Sequence, residues 1–288
     1  MAHHIVALIP DHQTYVEPFG GSGAVLLNKT KSEIEHFNDL DHILISFWRV
    51  IQSERLCKKL IIMLENTLYS RAEWSEALKE YKKRLTAEGR KQYHELLPGD
   101  IRDIVTPQDE EELLNRAWAC FVATVQGMGS FVASDTHGGW SYGKTQIPTA
   151  RTFRSKLIHF PELQERMKHV QVDCRDALDV IRLMDGDRTF FYLDPPYVAS
   201  SREETTREVY AVEGDDDFHE KLLDLILNIQ GKVLLSGYHN PLYDKKLKDW
   251  TTEEKEIRSV ATHDAMEGGK GLRTEVLWRN YNVQKRLF

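Results

Sequence analysis

The sequence predicts an α/β protein: a doubly wound, mostly parallel sheet with an inserted, mainly helical subdomain. Three observations carry this. Strand-like and helix-like stretches alternate at the start of the chain, the same rhythm resumes after residue 170, and the charged stretch between them is helix-prone. The elements follow in order. An apolar run, Ile5–Ile9, stops at Pro10. Gln13-Thr14-Tyr15-Val16-Glu17 is β-prone and meets the glycine cluster Pro18-Phe19-Gly20-Gly21-Ser22-Gly23, after which Ala24–Asn28 starts a helix. Ile34–Asp39 reads as a second strand ending in acid. Ile43 to Leu68 carries apolar residues at helical spacing. Residues 70–118 are charged and helix-prone. Residues 126–149 hold five of the 17 glycines, interleaved with Phe131, Trp140 and Tyr142, and read as hairpins and loops. Val170-Gln171-Val172 is a short strand and Asp176–Met184 a helix. Thr189–Leu193 is a fully apolar strand of the buried parallel kind, running straight into Asp194-Pro195-Pro196-Tyr197. Phe218–Ile229 is an amphipathic helix, Lys232–Ser236 a buried strand, and Glu275–Trp278 a late strand.

Composition bounds the function. The 288 residues suit one large domain, or one carrying an inserted subdomain. At 41% hydrophobic the chain is too apolar for disorder, and no apolar run approaches the roughly 18 residues of a membrane span. The start, MAHHIVALIP, has neither a basic region nor a cleavage site of a secretion signal. Cys57, Cys120 and Cys174 lie far apart, so a reducing cytoplasm is expected. The 12 histidines show no HExxH spacing, so no metal is expected.

Ligands of open α/β sheets bind beyond the carboxyl ends of the strands, and three signals fall there: the glycine turn after Glu17, Asn38-Asp39, and Asp194-Pro195-Pro196-Tyr197. A glycine turn lets a ligand approach the backbone, and a carboxylate after the next strand suits a ribose, so an adenosine-containing cofactor is expected. EPFGGSG is neither GxGxxG nor a P-loop, which leaves a tight turn without ligand as the competing reading of that feature alone. The two prolines after a buried strand remove N–H donors and stiffen the backbone. Asp194 and the Pro195 carbonyl are then free to accept the two N–H groups of an exocyclic amine, with Tyr197 stacked on its base. An adenine N6 lone pair is delocalised into the ring. Acceptors that favour a tetrahedral nitrogen localise it for attack on a methyl sulfonium.

EPFGGSG (17–23), FND (37–39), YLDPPY (192–197), LLSGY (234–238) and RTEVLW (273–278) occur in that order. The chain resembles the Dam-like, alpha-group DNA N6-adenine methyltransferases across about residues 5 to 280. The resemblance implies a methyltransferase-type sheet and S-adenosylmethionine as cofactor. The positions matching the cofactor loop are Glu17, Pro18, Phe19, Gly20, Gly21 and Gly23, and Asp39 matches the ribose acid. Asp176 and Ala177 match the pair beside the cofactor adenine. Asp194, Pro195, Pro196 and Tyr197 match the catalytic motif, and Phe121–Tyr142 is similar to the recognition hairpin region. The family's aromatic, glycine and lysine element before the Ile5–Pro10 stretch is not in this sequence. Either the start is truncated or that contact is lost, and in the second case cofactor binding is expected to weaken by about 1–3 kcal/mol.

Charge supplies the remaining expectation. The formal charge is −7, yet residues 113–161 and 268–288 each sum to +4, which leaves −15 on the remainder. Two basic segments on an acidic body fit one directional double-stranded DNA face. Arg116, Gln126, Trp140, Tyr142, Lys144 and Arg151 are the candidate DNA contacts. The organisation expected is a catalytic domain of residues 1–53 and 161–288 with a recognition subdomain at 54–160, in a monomer or, as the alternative, a dimer. The competing functions are a non-catalytic DNA-binding homologue, and methylation of RNA adenine or protein glutamine. Asp rather than Asn before Pro-Pro-Tyr favours DNA adenine.

Overall fold

A computed structural model describes residues 1–83, 110–127, 139–142, 149–196, 216–258 and 272–283. In chain order its elements are α1 (Ala2–Leu8), β1 (Thr14–Glu17), α2 (Ala24–Asn28), β2 (Ile34–Asn38), α3 (His42–Gln52), α4 (Glu54–Asn66) and α5 (Arg71–Lys82). There follow α6 (Glu110–Gln126), α7 (Thr149–Leu157), α8 (Phe160–Met167), β3 (Gln171–Asp173), α9 (Ala177–Met184), β4 (Thr189–Leu193) and α10 (Asp216–Ile226). The chain closes with β5 (Lys232–Gly237), α11 (Pro241–Lys246), β6 (Thr251–Arg258) and β7 (Leu272–Arg279). It divides into two units, Met1–Asn38 with Asp176–Phe288, and Asp39–Arg175. The second unit is wider than the 54–160 segment marked out on sequence, because it takes in α3, α8 and β3.

The first unit carries six strands of a mixed sheet in the order β2-β1-β4-β5-β7-β6. β2, β1, β4 and β5 are parallel, while β7 runs antiparallel to both β5 and β6. Strand register divides the sheet into two faces. Val16, Phe191, Leu193, Val233, Leu235, Val276 and Trp278 form one apolar face, buried against Leu178 and Ile181 of α9 and Leu222, Leu223 and Ile226 of α10. The alternate residues, Tyr15, Glu17, Phe190, Tyr192, Leu234 and Ser236, belong to the other face. β6 was not anticipated: its sequence, TTEEKEIR, is polar at nearly every position. Among the described residues it is an edge strand paired only with β7, where charge is tolerated and discourages further pairing. The opening apolar run is helical, as α1.

The second unit is mainly helical. In place of the one long helical pattern expected over residues 43–68, two helices form, because Ser53 ends α3 and its side chain caps α4 by accepting from the Leu56 N–H. Asp41 caps α3 through the Ile43 and Leu44 N–H groups, and Tyr81 of α5 donates to the same carboxylate at 2.6 Å. α6 packs against α3, α4 and α5. Phe47, Phe121, Phe153 and Phe160 meet there, with Phe47 stacked on Phe121.

Candidate active site

The strand–turn–helix at the start of the first unit is built by packing. Gly20 passes so close to Phe37 that a Cβ there would lie 2.2 Å from the ring. The Gly20 N–H donates to Asn38 O at 2.7 Å, and Asn38 Nδ2 donates to Pro18 O at 2.9 Å, tying the turn to the end of β2. Gly23 starts α2 in the left-handed region, φ 65°, which favours glycine. A Cβ at Gly21 would meet nothing within 4 Å, so that side of the turn is open. Phe19 rests edge-on against Phe218 of α10.

Glu17 ends β1 and is buried. Its carboxylate accepts from the Tyr15 hydroxyl at 2.8 Å and from the Leu26 N–H at 3.2 Å. Burial nevertheless lifts its pKa from 4.5 to about 8, and the charge of Asp194 adds to the rise. Asp194 follows β4, the parallel neighbour of β1, so the two carboxylates share one end of adjacent strands. Ser236 Oγ of β5 donates to Asp194 Oδ1 at 2.9 Å, and the Tyr192 hydroxyl lies 3.3 Å from Ser236 Oγ. Asp194 is exposed at the surface, yet enough protein surrounds its carboxyl for desolvation to raise its pKa above the usual aspartate range. The hydrogen bonds from Ser236 and Tyr192 oppose that rise. Pro195 is buried and Pro196 half-buried; Tyr197 lies outside the described residues.

The remaining candidates are placed as follows. Asp176 caps α9 by accepting from the Leu178 N–H at 2.8 Å, and Ala177 is buried beside it. Asp39 belongs to the second unit and accepts from the Asp41 N–H at 2.8 Å. Gln126 departs from the expectation of a DNA contact, because it is buried and its amide is spent internally. Its oxygen accepts from the Ser70 N–H and Trp140 Nε1, and its nitrogen donates to Leu68 O. Arg116 pairs with Glu112 on α6. Arg151 is exposed, and Lys144 lies outside the described residues. Trp140 bridges Gly127 in antiparallel fashion and stacks on Tyr142, with ring centres 6.1 Å apart. Tyr142 is 55% exposed, and Arg71 lies 5.8 Å above the Trp140 ring. Arg71 was missed because it opens a helix remote in sequence from the glycine-rich stretch.

Four further groups of the first unit were missed: Tyr15, Tyr192, Ser236 and Glu275. Each looks like an ordinary strand residue until register brings it beside the carboxylates. Among the described residues no group of three or more His, Cys, Asp or Glu side chains is arranged to hold a metal. No described helix is long and apolar enough to cross a membrane.

A mixed, mostly parallel sheet with a glycine turn after β1 and an Asp-Pro-Pro after β4 is the frame of an α/β methyltransferase. The model of the D12 class N6 adenine-specific DNA methyltransferases matches residues 1–263, and the chain belongs to that family. The reaction of the family is methyl transfer to adenine N6 in DNA, with a methyl donor as the second reactant. No curated protein matches the chain.

Proposed function

We propose that the chain transfers a methyl from S-adenosylmethionine to the N6 amine of adenine in double-stranded DNA, and that Asp194 is its catalytic acceptor. The observation that carries this reading is the placement of Asp194 beside Glu17 and the open glycine turn, at the carboxyl ends of two adjacent parallel strands. The residues fit the donor. The turn has room at Gly21 for close backbone approach, and Glu17 is a buried carboxyl next to it, suited to a cationic ligand. When bound, S-adenosylmethionine supplies a methyl already activated on a sulfonium. Asp39 would hold the ribose, and Asp176 with Ala177 would border the adenine.

Asp194 and the Pro195 carbonyl accept the two N6 hydrogens and draw the nitrogen lone pair out of the ring plane. Ser236 fixes the Asp194 carboxylate by one hydrogen bond, and Tyr197 stacks on the base. N6 inside a duplex is out of reach of such a pocket, so the target base is flipped out, at a cost of a few kcal/mol of unstacking. The Trp140–Tyr142 stack, with Arg71 above it, offers an exposed ring for a base and a cation for a phosphate.

Methyl transfer from tritiated donor to unmethylated DNA, followed by nucleoside analysis, tests the reading. Label in N6-methyladenine that disappears with Asp194→Ala is the expected result. Label in RNA or protein alone would overturn it.

A further inference from the structure

Among the described residues Glu275 touches none of the groups proposed to bind donor or base, yet it shares a sheet face with Ser236 and Tyr192, the partners of Asp194. In register, Ser236 lies opposite Leu277, so Glu275, two residues earlier on β7, points to the same face as Ser236 and Tyr192. β5 lies between β4 and β7, which sets Ser236 between Asp194 and Glu275. Glu275 is 7% exposed, and among the described residues no hydrogen bond or ion pair holds its carboxylate. The Tyr192 hydroxyl feels the charges of Asp194, Glu17 and Glu275 together.

We propose that Glu275 is a positioning residue for the reaction, the group that takes from Asp194 the proton released by the methylated amine. The inference rests on the methyltransfer reading above. After transfer, N6 holds one proton too many. The N–H bond breaks, and the proton passes to the Asp194 carboxylate that already accepts it. Asp194 is then neutral and unfit for another turnover. Its O–H bond breaks as an O–H bond forms on a water between the two carboxyls, that water passes a proton of its own to Glu275, and Glu275 releases it to solvent. Two carboxyls on one sheet face, each of which disfavours ionisation of the other, suit this step.

The charges facing Glu275 come from each neighbouring element. Asp194 after β4 disfavours its ionisation, while Lys255, directly opposite on β6, and the amino group of Met1 favour it. Burial outweighs them and lifts its pKa from 4.5 to about 7. The group therefore exchanges a proton near neutrality, where a proton acceptor works best.

The test is multiple-turnover methyl transfer from pH 6 to 9, with DNA and donor in excess over the chain, and with carboxyl titration by carbon NMR. In the wild-type chain the rate rises with a midpoint near Glu275's own. With Glu275→Gln the rise vanishes and the rate at the upper end drops about tenfold, a modest share of what a positioned proton acceptor contributes. KM for DNA and donor stays unchanged, and Glu275→Asp recovers part of the rate. An unaltered profile in Glu275→Gln would overturn the inference while leaving the parent reading intact. The titration needs no turnover: Glu275 should titrate near 7, and lower in Asp194→Asn. A midpoint in the ordinary glutamate range, about 4.3, contradicts the inference whatever the fate of the variants. A wild-type chain inactive on DNA overturns the parent reading, and this inference with it.

Discussion

Asp194 is exposed and bound by a Ser236 hydrogen bond, so replacing it removes an acceptor without opening the core. Asp194→Asn is expected to cut methyl transfer by about 100-fold or more while leaving the thermal midpoint within a few degrees. Stopped single turnovers and a melting curve check both. Gly20→Ala is the opposite case. Its Cβ would lie 2.2 Å from Phe37, so it should lower stability by about 1–3 kcal/mol in a denaturant titration. Glu17 gives a pH signature with an unusual sign. Its folded pKa of about 8 exceeds the 4.5 of the free group. The folded state therefore binds the extra proton, and the stability it contributes is lost as pH rises through that window. Measured against Glu17→Gln, the wild type should lose stability between pH 5 and 8; a flat difference would contradict the assignment. Asp194, Pro195 and the glycines were legible because rigid, donor-free or side-chain-free residues break the strand pattern. Ser236 and Glu275 were not, since one polar residue in an apolar strand gains meaning only from its cross-strand neighbour.

At the scale of elements, the parallel strands announced themselves as short apolar runs such as Thr189–Leu193. The edge strand β6 did not, because its stability comes from pairing with β7 and its residues are those of a solvated loop. Arg154 shows how a basic residue misleads. It belongs to the +4 segment 113–161 on sequence, yet its guanidinium donates to the carbonyls of Leu64, Glu65 and Thr67 at 2.6–2.8 Å, closing the end of α4. Arg154→Ala is expected to cost about 1.5–3 kcal/mol of stability with no change in the salt dependence of DNA binding. Arg151→Ala, at an exposed position one turn earlier on α7, should leave stability intact and lower the salt slope by about one. Denaturation and binding isotherms at several salt concentrations separate the two.

For the molecule as a whole, a charge of −7 with two +4 segments describes a body that repels DNA everywhere except where basic side chains remain free. Arg116 and Arg154 are engaged within the second unit, while Arg151 and Lys156 are exposed, so these two, with Arg71 and the Trp140–Tyr142 stack, are the contacts we propose for DNA among the described residues. DNA affinity should then fall steeply with salt, and Tyr142→Ala should weaken binding by about 1–3 kcal/mol without altering the donor's KM. The central claim, adenine N6 methylation dependent on Asp194, is tested most directly by nucleoside analysis of DNA incubated with labelled donor. The account predicts label in N6-methyladenine with the wild-type chain and none with Asp194→Ala. Label in any other nucleoside, or equal label with Asp194→Ala, would contradict it.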